Sequence, residues 1–133
     1  MRIEVAGIPA PQGSKRHVGG GRMVEVSRAV GPWREAVRAE TQRAVCGASP
    51  FCERPVAVHV WFRLPRPKST PKSTVWPAKR PDVDKLARAV LDGLTAGGAF
   101  RDDSQVIWLT AMKQFAGMPV SGLPGCVIEI EEV

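Results

Sequence analysis

Five aspartates carry the chemistry that this sequence suggests, and all of them fall between Asp82 and Asp103. Asp82 and Asp84 stand two apart in KRPDVDKLARAVLDGL (79–94), Asp92 follows in the same segment, and Asp102 and Asp103 are adjacent in RDDSQ. Clustered carboxylates repel one another unless a cation neutralises them. An oxygen-only donor set suits magnesium, with manganese as the alternative, and water or a substrate phosphate completes the octahedron. In phosphodiester cleavage such an ion activates the attacking water, binds nonbridging oxygens and stabilises the leaving alkoxide. A cation at Arg88 or Lys85 offsets charge on the transition state.

These groups need elements to position them. At about 100° per residue, 83–94 forms a helix with Leu86, Ala87, Val90 and Leu94 on one side and Leu91 close by. Asp84, Lys85, Arg88 and Asp92 occupy the other side. Gly97 and Gly98 end the helix, and AFRDDSQ leads into a strand at about 105–115. A helix of about 12 residues spans about 18 Å, so a chain returning along it is expected to bring Asp103 beside Asp82 and Asp84. Plainer uses compete: Asp82 is also placed to cap the helix, and Asp84 to favour its dipole. Arg88 and Asp92, four apart, also suit a solvated pair worth about 0.3–0.5 kcal/mol.

The remaining pattern reads as a strand at 2–8, a Pro/Gly-rich loop through PAPQGSKRHVGGGRM, a helix at 29–46 and a strand at 55–64. After a long segment with five prolines (64–81), the acidic helix and two further strands follow, the last being CVIEIEEV. The order β-α-β-loop-α-β-β predicts one α+β domain over 1–133, a small mixed sheet packed on two helices. The last two strands are expected to form an antiparallel hairpin, and 65–81 a flexible basic loop.

Charge is unevenly spread. The net charge is +6; residues 1–80 hold 15 Lys and Arg against five Glu, and 81–133 hold four against eight acids. A basic body with one acidic focus suits a polyanionic partner, with anionic groups only where a metal must be held. Three cysteines without C-x-x-C spacing argue against a disulfide framework or zinc knuckle and suggest reduced thiols in or near the core. The N-terminal residues lack the apolar centre of a signal peptide, which predicts a cytoplasmic protein, and no apolar run reaches the roughly 20 residues of a membrane span.

RPDVDKLARAVLDGL (80–94), the glycine turn and DDSQV (102–106), supported by IPAPQGSKR near the N-terminus, resemble the RusA-type Holliday junction resolvases of phages, prophages and bacteria. The resemblance covers about two-thirds of the chain. It implies a homodimer that uses magnesium or manganese to nick opposing strands of four-way DNA junctions in recombination and repair. It also implies Asp82, Asp84 and Asp103 as metal ligands, with Asp92 and Asp102 as supporting acids. The family's catalytic lysine corresponds to Arg88, which keeps the charge but is a poor proton donor; Lys85 stands where the family often has asparagine. Lys15, Arg16, Lys68, Lys72, Lys79 and Arg80 are the expected DNA contacts. Trp76 is either a base-stacking platform or an anchor for the long loop. Competing readings are a nuclease for flaps or forks and a non-catalytic DNA-binding module.

Overall fold

The computed structural model describes residues 1–13, 15–18, 22–25, 28–117 and 122–133, and for 15–18 and 22–25 the backbone alone. Its elements are β1 (Arg2–Ala6), β2 (Lys15–Val18), β3 (Arg22–Glu25), α1 (Val30–Val45), β4 (Val56–Leu64), α2 (Val83–Ala96), a short 3-10 turn (Asp103–Gln105), β5 (Val106–Phe115) and β6 (Gly125–Glu132). The α+β class and the order of the main elements follow the expectation. Within the expected Pro/Gly loop, β2 and β3 pair antiparallel as a separate two-stranded ribbon.

The β-branched, aromatic segment of β4 becomes the central strand, because both of its neighbours bury it. The four-stranded sheet runs β1-β6-β4-β5. β5 pairs parallel with β4, and β6 pairs antiparallel with both β4 and β1. The expected β5–β6 hairpin is therefore incorrect: β4 lies between those strands. The reason is burial, since β6 contributes Cys126, Val127, Ile128 and Ile130 to the interior and takes an inner place, while the more exposed β5 takes the edge.

Val56, Val58, Val60, Phe62 and Leu64 point to one face of β4 and enter the core. There they meet Leu86, Val90 and Leu94 of α2 and Trp33 and Val37 of α1. The buried face of α2 is the one expected from its periodicity, extended by Ala89 and Gly93. Cys126 lies in the core, as expected, but Cys46 and Cys52 are exposed and free. They stand at left-handed turn positions beyond α1, with φ of 54° and 49°.

Gly93, and Gly97 just past the end of α2, lie tight against α1. A Cβ at Gly93 would lie 2.6 Å from Val37 Cγ1, and one at Gly97 would lie 2.7 Å from the Arg38 carbonyl. Gly93→Ala is expected to lower Tm. Overpacking costs about 1–3 kcal/mol, against a helix-propensity gain of about 1 kcal/mol. Gly31→Ala on α1, where an added Cβ meets nothing within 4 Å, is expected to hold or raise Tm. Melting both variants by circular dichroism checks the pair.

Candidate active site

Asp82 precedes α2 with extended backbone (φ −71°, ψ 138°), and its carbonyl accepts the Leu86 N–H at 3.1 Å. Its carboxylate makes no capping bond, so the plain structural use considered from the sequence is not taken up. Lys85 Nζ approaches it only to 3.8 Å, and both side chains are substantially exposed. Asp84 is exposed in the first turn. Two solvent-facing carboxylates thus stand at one helix N-terminus, where the dipole favours negative charge. Arg88 is exposed one turn further along.

Two residues that sequence reasoning passed over hold this corner in place. Lys113 of β5 reaches across and donates from Nζ to the carbonyls of Lys79 at 2.8 Å and Pro81 at 2.9 Å. Gln12 donates its backbone N–H to the Lys85 carbonyl at 3.0 Å, while its Oε1 accepts from Arg34 Nη1 at 2.6 Å. The IPAPQG segment therefore ties α1 to the first turn of α2. The signal for Lys113 was present in the strand pattern. It shares the alternation of Leu109 and Ala111 on the face towards α2, where a lysine needs acceptors.

The second acidic pair divides its labour. Asp102 caps the 3-10 turn, its carboxylate accepting the Ser104 N–H at 2.9 Å. That bond holds its carboxyl below the usual aspartate range. Gln105 returns the favour: its Oε1 accepts the Asp102 N–H at 3.0 Å and its Nε2 donates to the carbonyls of Cys52 and Arg54. DDSQ is thus anchored beside the start of β4, and Asp103 is left exposed. Asp92 lies elsewhere, half-buried in a groove between the helices with Arg34 and Arg38.

Within one chain the acids do not gather as the sequence reading expected. Parallel β4 and β5 require α2 to run back against them, and its 14 residues span about 21 Å. Asp82 and Asp84 stand at the Lys113 end of that unit, whereas Asp103 precedes the opposite end of β5. Among the described residues, no group of three or more His, Cys, Asp or Glu side chains is placed to hold a metal ion. The expected return of Asp103 past Asp82 fails because β5 must begin level with the start of β4.

The basic segment from 65 to 81 contains no helix or strand but is built of turns. In each copy of the doubled PKST, the threonine N–H donates to the proline carbonyl three residues back, Thr70 to Pro67 and Thr74 to Pro71, both at 3.0 Å. Lys68 and Lys72 consequently occupy the same position in successive turns. They are exposed, as are Lys79 and Arg80. The side chains of Lys15 and Arg16 lie outside the described residues.

Comparison with protein-family models finds a match to the one described as Endodeoxyribonuclease RusA, over residues 5–131 of the 133. The chain belongs to the RusA family. Its membership makes it an endodeoxyribonuclease of the Holliday junction type. Comparison with curated proteins finds no match. No helix among the described residues is long and apolar enough to cross a membrane. In this RusA-family chain the D-x-D pair and DDSQ stay the most distinctive sequence features, now carried on opposite ends of one β-α-β unit.

Lys113→Met is expected to reduce junction cutting about tenfold or more, because charge-assisted hydrogen bonds to two carbonyls are lost, while the far-UV spectrum stays unchanged. Single-turnover cutting beside a spectrum checks this. Asp102 offers a pH test. Its folded pKa is depressed, so its stabilising contribution is full above the ordinary value of about 3.9 and is lost as pH falls through the folded value. The Tm difference between wild type and Asp102→Ala is therefore expected to be largest near neutrality and to shrink under strong acid.

Proposed function

We propose that this protein resolves four-way DNA junctions as a metal-dependent homodimer whose active sites are each completed by the second subunit. The observation that carries the proposal is the combination of separated acids with an open strand edge. β5 is the outer strand of the sheet and exposes Ile107 at 63%, Trp108 at 57% and Leu109 at 42%. An edge with free backbone groups and a large apolar stretch is a template for strand pairing. Pairing with a second copy would be antiparallel and isologous. A two-fold axis at Trp108 pairs Val106 of one strand with Thr110 of the other and leaves the 3-10 turn that carries Asp103 just beyond the pairing, on the side of the partner's Lys113. Asp103 of the partner subunit is then carried towards Lys113, whose ammonium already binds the carbonyl preceding Asp82.

The donor chemistry fits a hard cation. Asp82 and Asp84 offer oxygens that no cap consumes, and the partner's Asp103 supplies a third. Magnesium or manganese held there supplies Lewis acidity towards water and the phosphate oxygens. The chain's own residues do the rest. Arg88 and Lys85 meet the charge of the scissile phosphate; with its high pKa, Arg88 acts electrostatically rather than as a proton donor. Lys68, Lys72, Lys79 and Arg80 hold flanking phosphates, with Lys15 and Arg16 in support. Two equivalent sites related by the axis explain paired, symmetric nicks.

Mixing inactive variants tests the shared site. Asp82→Asn and Asp103→Asn are each expected to lower incision by more than a hundredfold with little change in junction affinity. An equal mixture, after subunit exchange, is expected to recover nicking, because the heterodimer regains one intact site. No recovery from a mixture proven to contain heterodimers would overturn the shared site. EDTA is expected to stop cutting by the wild-type enzyme and leave junction binding intact. Equal cutting of junction, flap and plain duplex would remove the junction specificity.

A further inference from the structure

Beside the acidic start of α2 lies a cavity of about 410 Å3, within the range of small-molecule sites. The loop from 65 to 81 walls it against the ends of β4 and β5. Trp76, half exposed, and Phe115 supply aromatic and apolar surface, and Lys79 and Arg80 stand in the lining nearest Asp82. Thr70 and Thr74 also line it, and neither hydroxyl bonds to another described residue. Arg66 fixes one wall, its guanidinium lying 4.8 Å from the Phe115 ring centroid and donating to the Pro71 carbonyl at 2.6 Å. The cavity therefore has an aromatic and apolar surface and two cations, Lys79 and Arg80, within three residues of a proposed ligand to the metal.

We propose that this cavity receives one unpaired nucleobase from the branch point, stacked on Trp76, with its flanking phosphates on Lys79 and Arg80. The inference rests on the nuclease reading and adds to it a means of recognising the branch. An aromatic wall suits the π-face of any base, and the adjoining cations match the charge of a nucleotide rather than of an apolar peptide. Taking a base out of a stack is least costly where it is already unpaired. At an open crossover the pairs that flank the branch lose a stacking neighbour, so a base there is freed at less cost than one inside an intact duplex. The cavity thereby couples the presence of a branch to placement of the neighbouring phosphate at Asp82 and Asp84.

A cycle between protein and DNA tests this, with binding measured by fluorescence anisotropy in EDTA so that cutting is not needed. Abasic sugars are placed one at a time through the crossover of a fixed four-way junction. At one symmetry-related position an abasic sugar is expected to weaken wild-type binding about tenfold. Trp76→Ala is expected to cause a similar loss, and the two together no more than either alone. Trp76→Phe, which retains a stacking ring, is expected to keep most of the affinity and the same abasic sensitivity. Losses that multiply at every position, or a wild type indifferent to all abasic positions, would overturn the proposal. So would loss of dimer mass in Trp76→Ala without DNA, which assigns the cavity to the second copy. A protein that shows the coupling yet never cuts with magnesium keeps the pocket and loses the nuclease reading; one that cuts without coupling does the reverse.

Discussion

A helix that joins two adjacent parallel strands must run back against them. In this chain the rule acts on α2, whose first residue leaves the D-x-D segment at one end of the sheet and whose last delivers the chain to DDSQ at the other. Every other part of the site accommodates that separation. Asp102 and Gln105 fasten one end to the start of β4, Lys113 and Gln12 fasten the other, and the core residues of α2 fix the distance between them. Shortening it would require breaking the packing of Leu86, Val90 and Leu94 on β4.

The same arrangement comes with an exposed edge. An outer strand bearing Ile107, Trp108 and Leu109 is an aggregation hazard for a solitary domain. The hazard becomes a use if the edge is the seam that joins acids from two copies. On the proposed reading, assembly and metal binding are linked, because ligands from two subunits bring the ion's binding energy to bear on the dimer. A subunit alone then carries no complete cutting centre, a safeguard in an enzyme that breaks DNA.

Much of this was legible in the sequence because it follows local rules. The period of α2, its glycine stop, the β-branched run of β4 and the D-x-D and DDSQ motifs depend on neighbours within a few residues, and their boundaries fell within one or two positions. What the sequence hid is non-local. Placing β4 between β5 and β6 depends on which strand has more surface to bury, a comparison that no single segment reveals. Asp102 and Asp103 look alike in the string, and only the anchored turn shows that one carboxylate is consumed by a backbone N–H while the other is free. Gly93 reads as an ordinary interruption of a helical pattern until Val37 is found against it. Lys113 reads as a surface lysine until its acceptors are found across the gap.

The doubled PKST has a consequence of another kind. Each tetrapeptide closes its own hydrogen-bonded turn without help from the core. Each copy thus sets its own backbone, and insertion or deletion of one would alter the cavity wall that Arg66 ties at Pro71 rather than the core of the sheet and helices. On the proposed reading, in which Lys68 and Lys72 hold flanking phosphates, one copy more or fewer would change the number of cations offered to the DNA.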